Sequence, residues 1–186
     1  MHTTHRKKLY IRVSKFLSYL LRHNPEKYGI QLDSYGYADL EKVLSILNKK
    51  FSGIQIDKIF LIDLIRASEK VRFELNQEKI RAYYGHSLTK TIKMPKIETP
   101  PQKLFHGTTK FNSEKILREG LKSKGRQYVH LTDNIHTAEQ VARRRTDNSV
   151  ILEIDTRQAI IDGINFYKSG DMYLADFIPT KYIKIL

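Results

Sequence analysis

Arginine and histidine stand side by side in "SKFLSYLLRHNPEKYGI", where Arg22-His23 precedes Asn24-Pro25. A second pair of cations, Lys70 and Arg72, sits in "EKVRF". If a strand begins near Lys70, the two point the same way, because alternate strand residues share a face. Parallel cations of this kind grip phosphate oxygens. "YGHS" sets His86 and Ser87 behind a glycine that permits a tight turn, and both can donate to a backbone phosphate. "FHGTT" puts His106 at a strand end, and Gly107 after it allows close backbone approach to a ligand. "GRQYVHLT" places Arg126 just before a strand and His130 within it, with Val129 and Leu131 directed to the other face. Two strands that each present one histidine point to a cleft. The chemistry the cations and donors suit is the binding of phosphate.

Each fragment also has a plain structural reading. Arg22 and His23 are favoured at a helix C-terminus by the macrodipole alone. Lys70 and Arg72 suit a solvated edge strand, where charge discourages aggregation. "YGHS" is an ordinary turn, a lone strand histidine is usually structural, and Arg143 to Arg145 read as a helix-end cation cluster. Spacing alone leaves these alternatives open.

What is missing narrows the chemistry. Cysteine is absent, which excludes disulfides, thiolate metal sites and a cysteine nucleophile. The seven histidines form no H-E-x-x-H pattern, so no metal site is expected. No pair of carboxylates stands out as an acid/base set. Neither G-x-G-x-x-G nor a G-K-[ST] phosphate loop occurs, so a nucleotide must be held in another way. The chain has 186 residues, 33 Lys+Arg against 20 Asp+Glu, and a net charge of +13. Such a balance suggests a polyanionic partner, nucleic acid first. The longest apolar runs are too short to span a membrane, and the basic N-terminus lacks the apolar region of a signal peptide. A cytoplasmic protein is expected.

The elements that must position these residues fall into two lobes. Residues 1–90 carry 17 basic and 9 acidic side chains, and residues 91–186 carry 16 and 11. Between the lobes, "TIKMPKIETPPQK" (91–103) holds three of the five prolines and reads as a linker. The first lobe (1–90) reads as three helices and a hairpin. Val13, Phe16, Leu17, Leu20 and Leu21 share one helical face. Leu40, Val43, Leu44 and Leu47 share another, and a third helix is expected from Ile56 to Ser68 with Ile59, Phe60 and Leu64 buried. Strands "VRFEL" and "KIRAYY" flank an Asn76-Gln77-Glu78 turn. Three helices followed by a hairpin is the winged-helix order. The second lobe (104–186) reads as α/β. Its strands are "KLFHGT", "YVHLT", "SVILEID", "DMYLAD" and "YIKIL". One helix is capped by Ser113 and closed by Gly120, and another runs from an Asn134 cap to about Arg145. The expected fold class is α+β.

Taken together, "SKFLSYLLRH", "KVRF", "YGHS", "FHGTT", "GRQYVHLT" and "GDMYLADFIP" resemble, in order and spacing, the RNA 2′-phosphotransferase family, the NAD-dependent enzymes of tRNA splicing and their bacterial and archaeal relatives. The resemblance runs from about Val13 to the C-terminus. It implies an N-terminal winged-helix lobe that handles RNA and an ADP-ribosyltransferase-like lobe that binds NAD in its cleft. The family's catalytic Arg-His-Arg-Arg set falls on Arg22, His23, Arg72 and Arg126, and its accompanying lysine on Lys70. The first two ADP-ribosyltransferase positions fall on His106 and His130, so the NAD contacts are expected from His106, Gly107, Thr108, His130, Leu131 and Thr132.

The reaction implied has two steps. An internal RNA 2′-phosphate attacks C1″ of NAD and expels nicotinamide; ribose O2″ then attacks phosphorus, leaving a 2′-hydroxyl and ADP-ribose 1″,2″-cyclic phosphate. Arginines remain charged and grip phosphate bidentately, and fixed cations stabilise the charge that builds on the phosphoryl oxygens. The leaving group of NAD is already good, so the first step needs orientation more than acid/base help. His23 is assigned to proton transfer or orientation in the second step. The implied partners are tRNA-like RNA and NAD, with no metal and no membrane, for a monomer. Departures are Met172 at the third ADP-ribosyltransferase position, Tyr84 where glutamine is common, and Ser169-Gly170-Asp171 for a common Asn-Gly. The alternatives are an ADP-ribosyltransferase acting on nucleic acid phosphates or protein, and a non-enzymatic winged-helix nucleic-acid binder.

Overall fold

The computed structural model describes residues 2–144 and 148–186, which divide into two compact units, 1–93 and 94–186. Both combine helices with small antiparallel sheets, an α+β fold.

In the first unit, α1 spans His2–Arg22, β1 Tyr37–Asp39, α2 Leu40–Lys50, α3 Lys58–Arg66, β2 Phe73–Asn76 and β3 Lys79–Ala82. The strands form one sheet in the order β1-β3-β2. Asp33 sets up β1 by accepting from the N–H groups of Tyr35 and Tyr37, an Asx turn that sequence periodicity did not reveal. Asp39 then caps α2 by accepting from the Lys42 N–H. Leu17, Leu20 and Leu21 of α1 pack with Leu40, Leu47, Leu61, Leu64 and Ile80 in one core. Each fully buried leucine contributes about 1.5–3 kcal/mol over leaving it exposed.

Four expectations for this unit are corrected. The third helix is Lys58–Arg66, begun by the Asp57 cap, and its buried face is Leu61 and Leu64. Ile59 is 69% exposed. It precedes Leu61 by two residues, about 200° around the helix, and so faces away. Strand β2 starts at Phe73, leaving Lys70 and Arg72 ahead of it. The ladder reaches only to Arg72, whose carbonyl accepts from the Tyr83 N–H at 2.9 Å. The hairpin turn is Gln77-Glu78 with Gln77 at φ 53°, and Asn76 belongs to the strand.

In the second unit, β4 is Lys96–Ile97, β5 Lys103–Thr109, α4 Lys110–Glu119, β6 Leu121–Lys122, β7 Val129–Leu131 and α5 Ile135–Arg143. Then follow β8 Ser149–Asp155, α6 Thr156–Ile161, β9 Phe166–Ser169, β10 Met172–Ala175, β11 Phe177–Ile178 and β12 Ile183–Ile185. The sheets run β4-β9-β10-β7, β12-β8-β5 and β11-β6. Phe105 and Thr132 exchange backbone hydrogen bonds at 2.7 and 3.0 Å, tying β5 to the end of β7. Leu104, Leu131, Leu152, Ile154 and Phe166 fill the core.

The stretch 91–103 carries more structure than a plain linker. Ile92 and Met94 are buried, and Lys96–Ile97 pairs with β9. Helix α4 is capped by Thr109, which accepts from the Asn112 N–H; Ser113 lies within the helix and donates to the Lys110 carbonyl. Gly120 closes it as expected. Asn134 caps α5, which ends at Arg143; Arg145, the expected end, lies outside the described residues. On β8, Glu153 is buried between Lys103 (3.2 Å) and Lys184 (3.1 Å). Burial pushes this carboxyl up, but the hydrogen bonds and charge of the two lysines outweigh it and hold it below the usual range. The carboxylate is thereby a clamp across β5, β8 and β12.

Candidate phosphate and nucleotide sites

The end of α1 is built to be rigid. The N–H groups of His23 and Asn24 both bond the Tyr19 carbonyl, each at 3.1 Å. Pro25 then opens a single 3-10 turn, Glu26–Tyr28, closed by Gly29 at φ 66°. Arg22 and His23 are thus presented from a fixed point.

Around that point the segment after β3 folds back. The Ser87 N–H donates to the Arg22 carbonyl at 3.0 Å, and Ser87 Oγ lies 2.7 Å from His23 Nδ1. The Arg22 guanidinium lies over the rings of Tyr84 (5.2 Å) and Phe73 (5.8 Å), and its Nη2 is 3.5 Å from the Arg72 carbonyl. Gly85 has φ 89°, and a Cβ there would stand 3.4 Å from Arg22 Nη1. The chain therefore wraps the arginine with a conformation that suits glycine. Arg72 has no carboxylate within ion-pair distance among the described residues. By contrast, Arg81 on β3 is tied to Glu74 at 2.6 Å and lies over Tyr37.

Arg22, His23, Ser87 and the Arg72 backbone are thus brought together in the first unit. Their partners Phe73, Tyr84 and Gly85 were not legible as such, although Tyr84 had stood out as a departure. His86 is different. It is 2% exposed, packed near Gly36, and neither ring nitrogen has a hydrogen-bond partner among the described residues. Burial, then the positive charges of Arg22, His23 and Arg81, push it down to about 4. Both ring nitrogens are enclosed, so His86 does not present its N–H to an external phosphate, and that expectation is corrected: the ring packs inside the first unit beside Gly36.

In the second unit, His106 on β5 approaches β7, where its Nδ1 lies 2.9 Å from the His130 carbonyl. A carbonyl only accepts, so the proton of this contact sits on Nδ1. Val129 and Leu131 are buried on one side of β7 while His130 faces the other, as alternation requires. A cavity of about 290 Å³ is lined by His106, Thr108, Asn112, Lys115, Arg126, Tyr128 and His130, among others. Lys124 donates to Asn112 Oδ1 at 3.0 Å on its wall. Lys122, Lys124 and Arg126 recur at every second position and line the same cavity. That period-two run of cations was the sequence signal for Lys122 and Lys124.

Two expected contacts read differently here. Leu131 is fully buried in the core, so only its backbone can meet a ligand. A Cβ on Gly107 would stand 2.0 Å from the Ala138 carbonyl oxygen. The close approach that Gly107 permits is therefore that of α5 onto β5. Thr132 is buried, and its Oγ1 accepts from the Asn134 N–H at 3.2 Å. Met172 is half-buried on β10, opposite Ser169.

The fold is α+β, with arginine, histidine and serine meeting at the end of α1 in the first unit and a pocket lined by four cations and Glu119 in the second. The chain belongs to the RNA 2′-phosphotransferase family: residues 8–175 match the family described as "RNA 2'-phosphotransferase, Tpt1 / KptA family". It is 40% identical over 176 residues to a probable RNA 2′-phosphotransferase of Acetivibrio thermocellus, covering 94% of this chain and 96% of that one. The corresponding proteins of Bacillus thuringiensis subsp. konkukian (40%, with 97% of each chain covered) and Agrobacterium fabrum (42%, 92% of each) are similar to the same extent. The family is one of phosphotransferases, and RNA is the substrate it implies. Among the described residues no helix is long and apolar enough to cross a membrane.

Proposed function

We propose that this protein removes an internal 2′-phosphate from RNA by transferring it to NAD, through an ADP-ribosylated RNA 2′-phosphate. Arg22 and Arg72 hold the phosphate, with Lys70 adding charge, and Ser87 fixes the His23 ring by its contact at Nδ1. His23 moves or orients a proton as O2″ attacks phosphorus, and Arg126 stabilises the charge on the transferred group. The observation that carries this reading is the meeting of Arg22, His23, Ser87 and the Arg72 backbone at one helix end.

The first unit is read as a winged helix. Its order of helix, strand, two helices and hairpin, with β1 beside β3, supports that assignment. The second unit is read as ADP-ribosyltransferase-like, with NAD at the cavity between β5, β7 and α4. A volume of about 290 Å³ lies near the lower end of the roughly 300–1,000 Å³ of small-molecule sites, so it suits part of a dinucleotide. Lys115, Lys122 and Lys124, offset by the Glu119 carboxylate that pairs with the first two, leave two positive charges for a diphosphate, and His106 and His130 would orient the nicotinamide riboside. Methionine at position 172 supplies no carboxylate, which favours phosphoryl transfer over a toxin-like ADP-ribosyltransferase.

The test is incubation with NAD and a short RNA bearing one internal 2′-phosphate, following both RNA and nucleotide products. Release of 2′-hydroxyl RNA with ADP-ribose cyclic phosphate is expected. Accumulated ADP-ribosylated RNA would point to an enzyme that stops after the first step. RNA binding without NAD consumption would sink both enzymatic readings.

A further inference from the structure

Helix α1 carries six Lys or Arg side chains and no acid in 21 residues. Five of its residues, Lys8, Arg12, Lys15, Tyr19 and Arg22, follow one another at steps of four and three. Such steps place them within about 40° of one line along the helix, on the side away from Val13, Leu17 and Leu20. The stripe is about 21 Å long at 1.5 Å per residue. Lys8, Arg12, Lys15 and Tyr19 are exposed, Tyr19 by 36%. Among the described residues no carboxylate pairs with Lys8, Arg12 or Lys15, whereas Arg6, off the stripe, is paired with Asp63 at 2.7 Å. Three exposed cations in a row with no acid between them form a positive strip along which a polyanion can lie.

An independent feature borders the stripe. Phe16, Tyr19, Tyr28 and Phe51 form a partly exposed aromatic cluster, with Phe16–Tyr19 stacked at 6.4 Å and Phe16–Tyr28 edge-on at 5.6 Å. Arg12 lies over Phe51 at 5.8 Å and Lys50 over Phe16 at 5.7 Å. Cations interleaved with aromatic rings, among which Tyr19 is exposed, suit unpaired bases on a charged backbone. A duplex would offer phosphates but no free base face, and an acidic peptide would have no use for the rings.

We propose that this stripe and its aromatic border are a track for the single-stranded RNA that flanks the 2′-phosphate, with Tyr19 stacking a base and Lys8, Arg12 and Lys15 contacting successive phosphates. The direction of the track rests on the reading of Arg22 as the 2′-phosphate ligand; the track itself rests on its own residues.

The experiment uses the full chain, the triple variant Lys8→Gln/Arg12→Gln/Lys15→Gln, and Tyr19→Ala with Tyr19→Phe as the conservative control. Fluorescence anisotropy with an unstructured RNA of about 12 nucleotides, without a 2′-phosphate, reads binding between roughly 50 and 200 mM salt. The triple variant is expected to bind at least about tenfold more weakly and to flatten the log–log salt slope by about 2, near 0.7 per lost single-strand contact. Tyr19→Ala weakens binding about tenfold, within the range for loss of one stacked base, and Tyr19→Phe stays within about twofold. In turnover, KM for a 2′-phosphorylated RNA of that length rises while kcat, and KM for a dinucleotide bearing the same phosphate, stay put.

Unchanged affinity and slope in folded variants overturn the track. So does equal competition by duplex RNA or by polyglutamate. If no 2′-phosphorylated RNA is turned over by the unaltered protein, yet the variants lose RNA binding as described, the enzymatic reading fails and the track stands.

Discussion

His23 Nδ1 and Ser87 Oγ lie 2.7 Å apart, although 64 residues separate them in the chain. The Ser87 N–H also bonds the Arg22 carbonyl, so one serine holds both the backbone and the ring at the end of α1. Ser87→Ala removes only the side-chain half of that grip. A lost hydrogen bond of about 1–1.5 kcal/mol predicts a roughly tenfold fall in kcat for 2′-phosphate removal. Ser87→Thr restores most of it, and nitrogen-15 NMR of the His23 ring reports the changed tautomer balance.

Arg22→Lys keeps the charge and loses the planar fork. Bidentate binding of phosphate goes with it, so turnover is expected to fall at least about 100-fold. The folded state loses the packing of the guanidinium on Tyr84 and Phe73, about 0.5–1 kcal/mol per contact, and the long contact to the Arg72 carbonyl. Thermal unfolding should therefore shift by only a few degrees, roughly 2–4 °C per kcal/mol for a chain of this size. A large fall in stability alongside the activity would make Arg22 a structural residue instead.

Arg126 is exposed in the segment before β7, so Arg126→Ala leaves the fold intact. The expected outcome is a stalled second step with ADP-ribosylated RNA accumulating, detected by gel shift and mass spectrometry of the RNA. Unaltered turnover would remove Arg126 from the phosphoryl-transfer machinery.

The buried His86 makes a prediction about acid. Its folded pKa is pushed down to about 4 from an ordinary 6.5, so the unfolded chain binds the proton more readily. Stability from this group is present above about pH 6.5 and is lost as the pH falls toward 4. Integrated over that window the loss is about 3 kcal/mol. Denaturant unfolding at a series of pH values measures it. His86→Leu should flatten the dependence between those limits, and an equally steep curve in the variant would assign the titration elsewhere.

Gly107→Ala should be among the most damaging single changes in the second unit. Its Cβ would stand 2.0 Å from a backbone oxygen of α5, which cannot rotate away. Overpacking of this kind costs about 1–3 kcal/mol or more, and a thermal melt would show it. Gly53→Ala is the control, because nothing lies within 4 Å of a Cβ there.

Helical periodicity found α1 and α2, alternation oriented His130 in β7, and apolar composition found β8. These signals are local: a buried face repeats every 3.6 or 2 residues whatever it packs against. The same logic failed at α3, where Ile59 satisfied the apolar pattern but the Asp57 cap set a start that turned it outward. It missed β1 and β4, three and two residues long, because their pairing partners Arg81 and Tyr167 are distant in the chain.

The sequence by itself determined the inventory and order of chemical groups: Arg22-His23 before a proline, Lys70 and Arg72 before the Asn76-Gln77-Glu78 stretch, and a histidine in each of two strands. Those motifs also carried the family, because order and spacing survive without coordinates. Only the tertiary structure decided which groups meet. It put Ser87 against His23, laid Arg22 between Tyr84 and Phe73, buried His86, and turned Gly107 toward α5. The physical reason is that burial and hydrogen-bond partnership depend on residues brought together by packing, which neighbours along the chain do not encode.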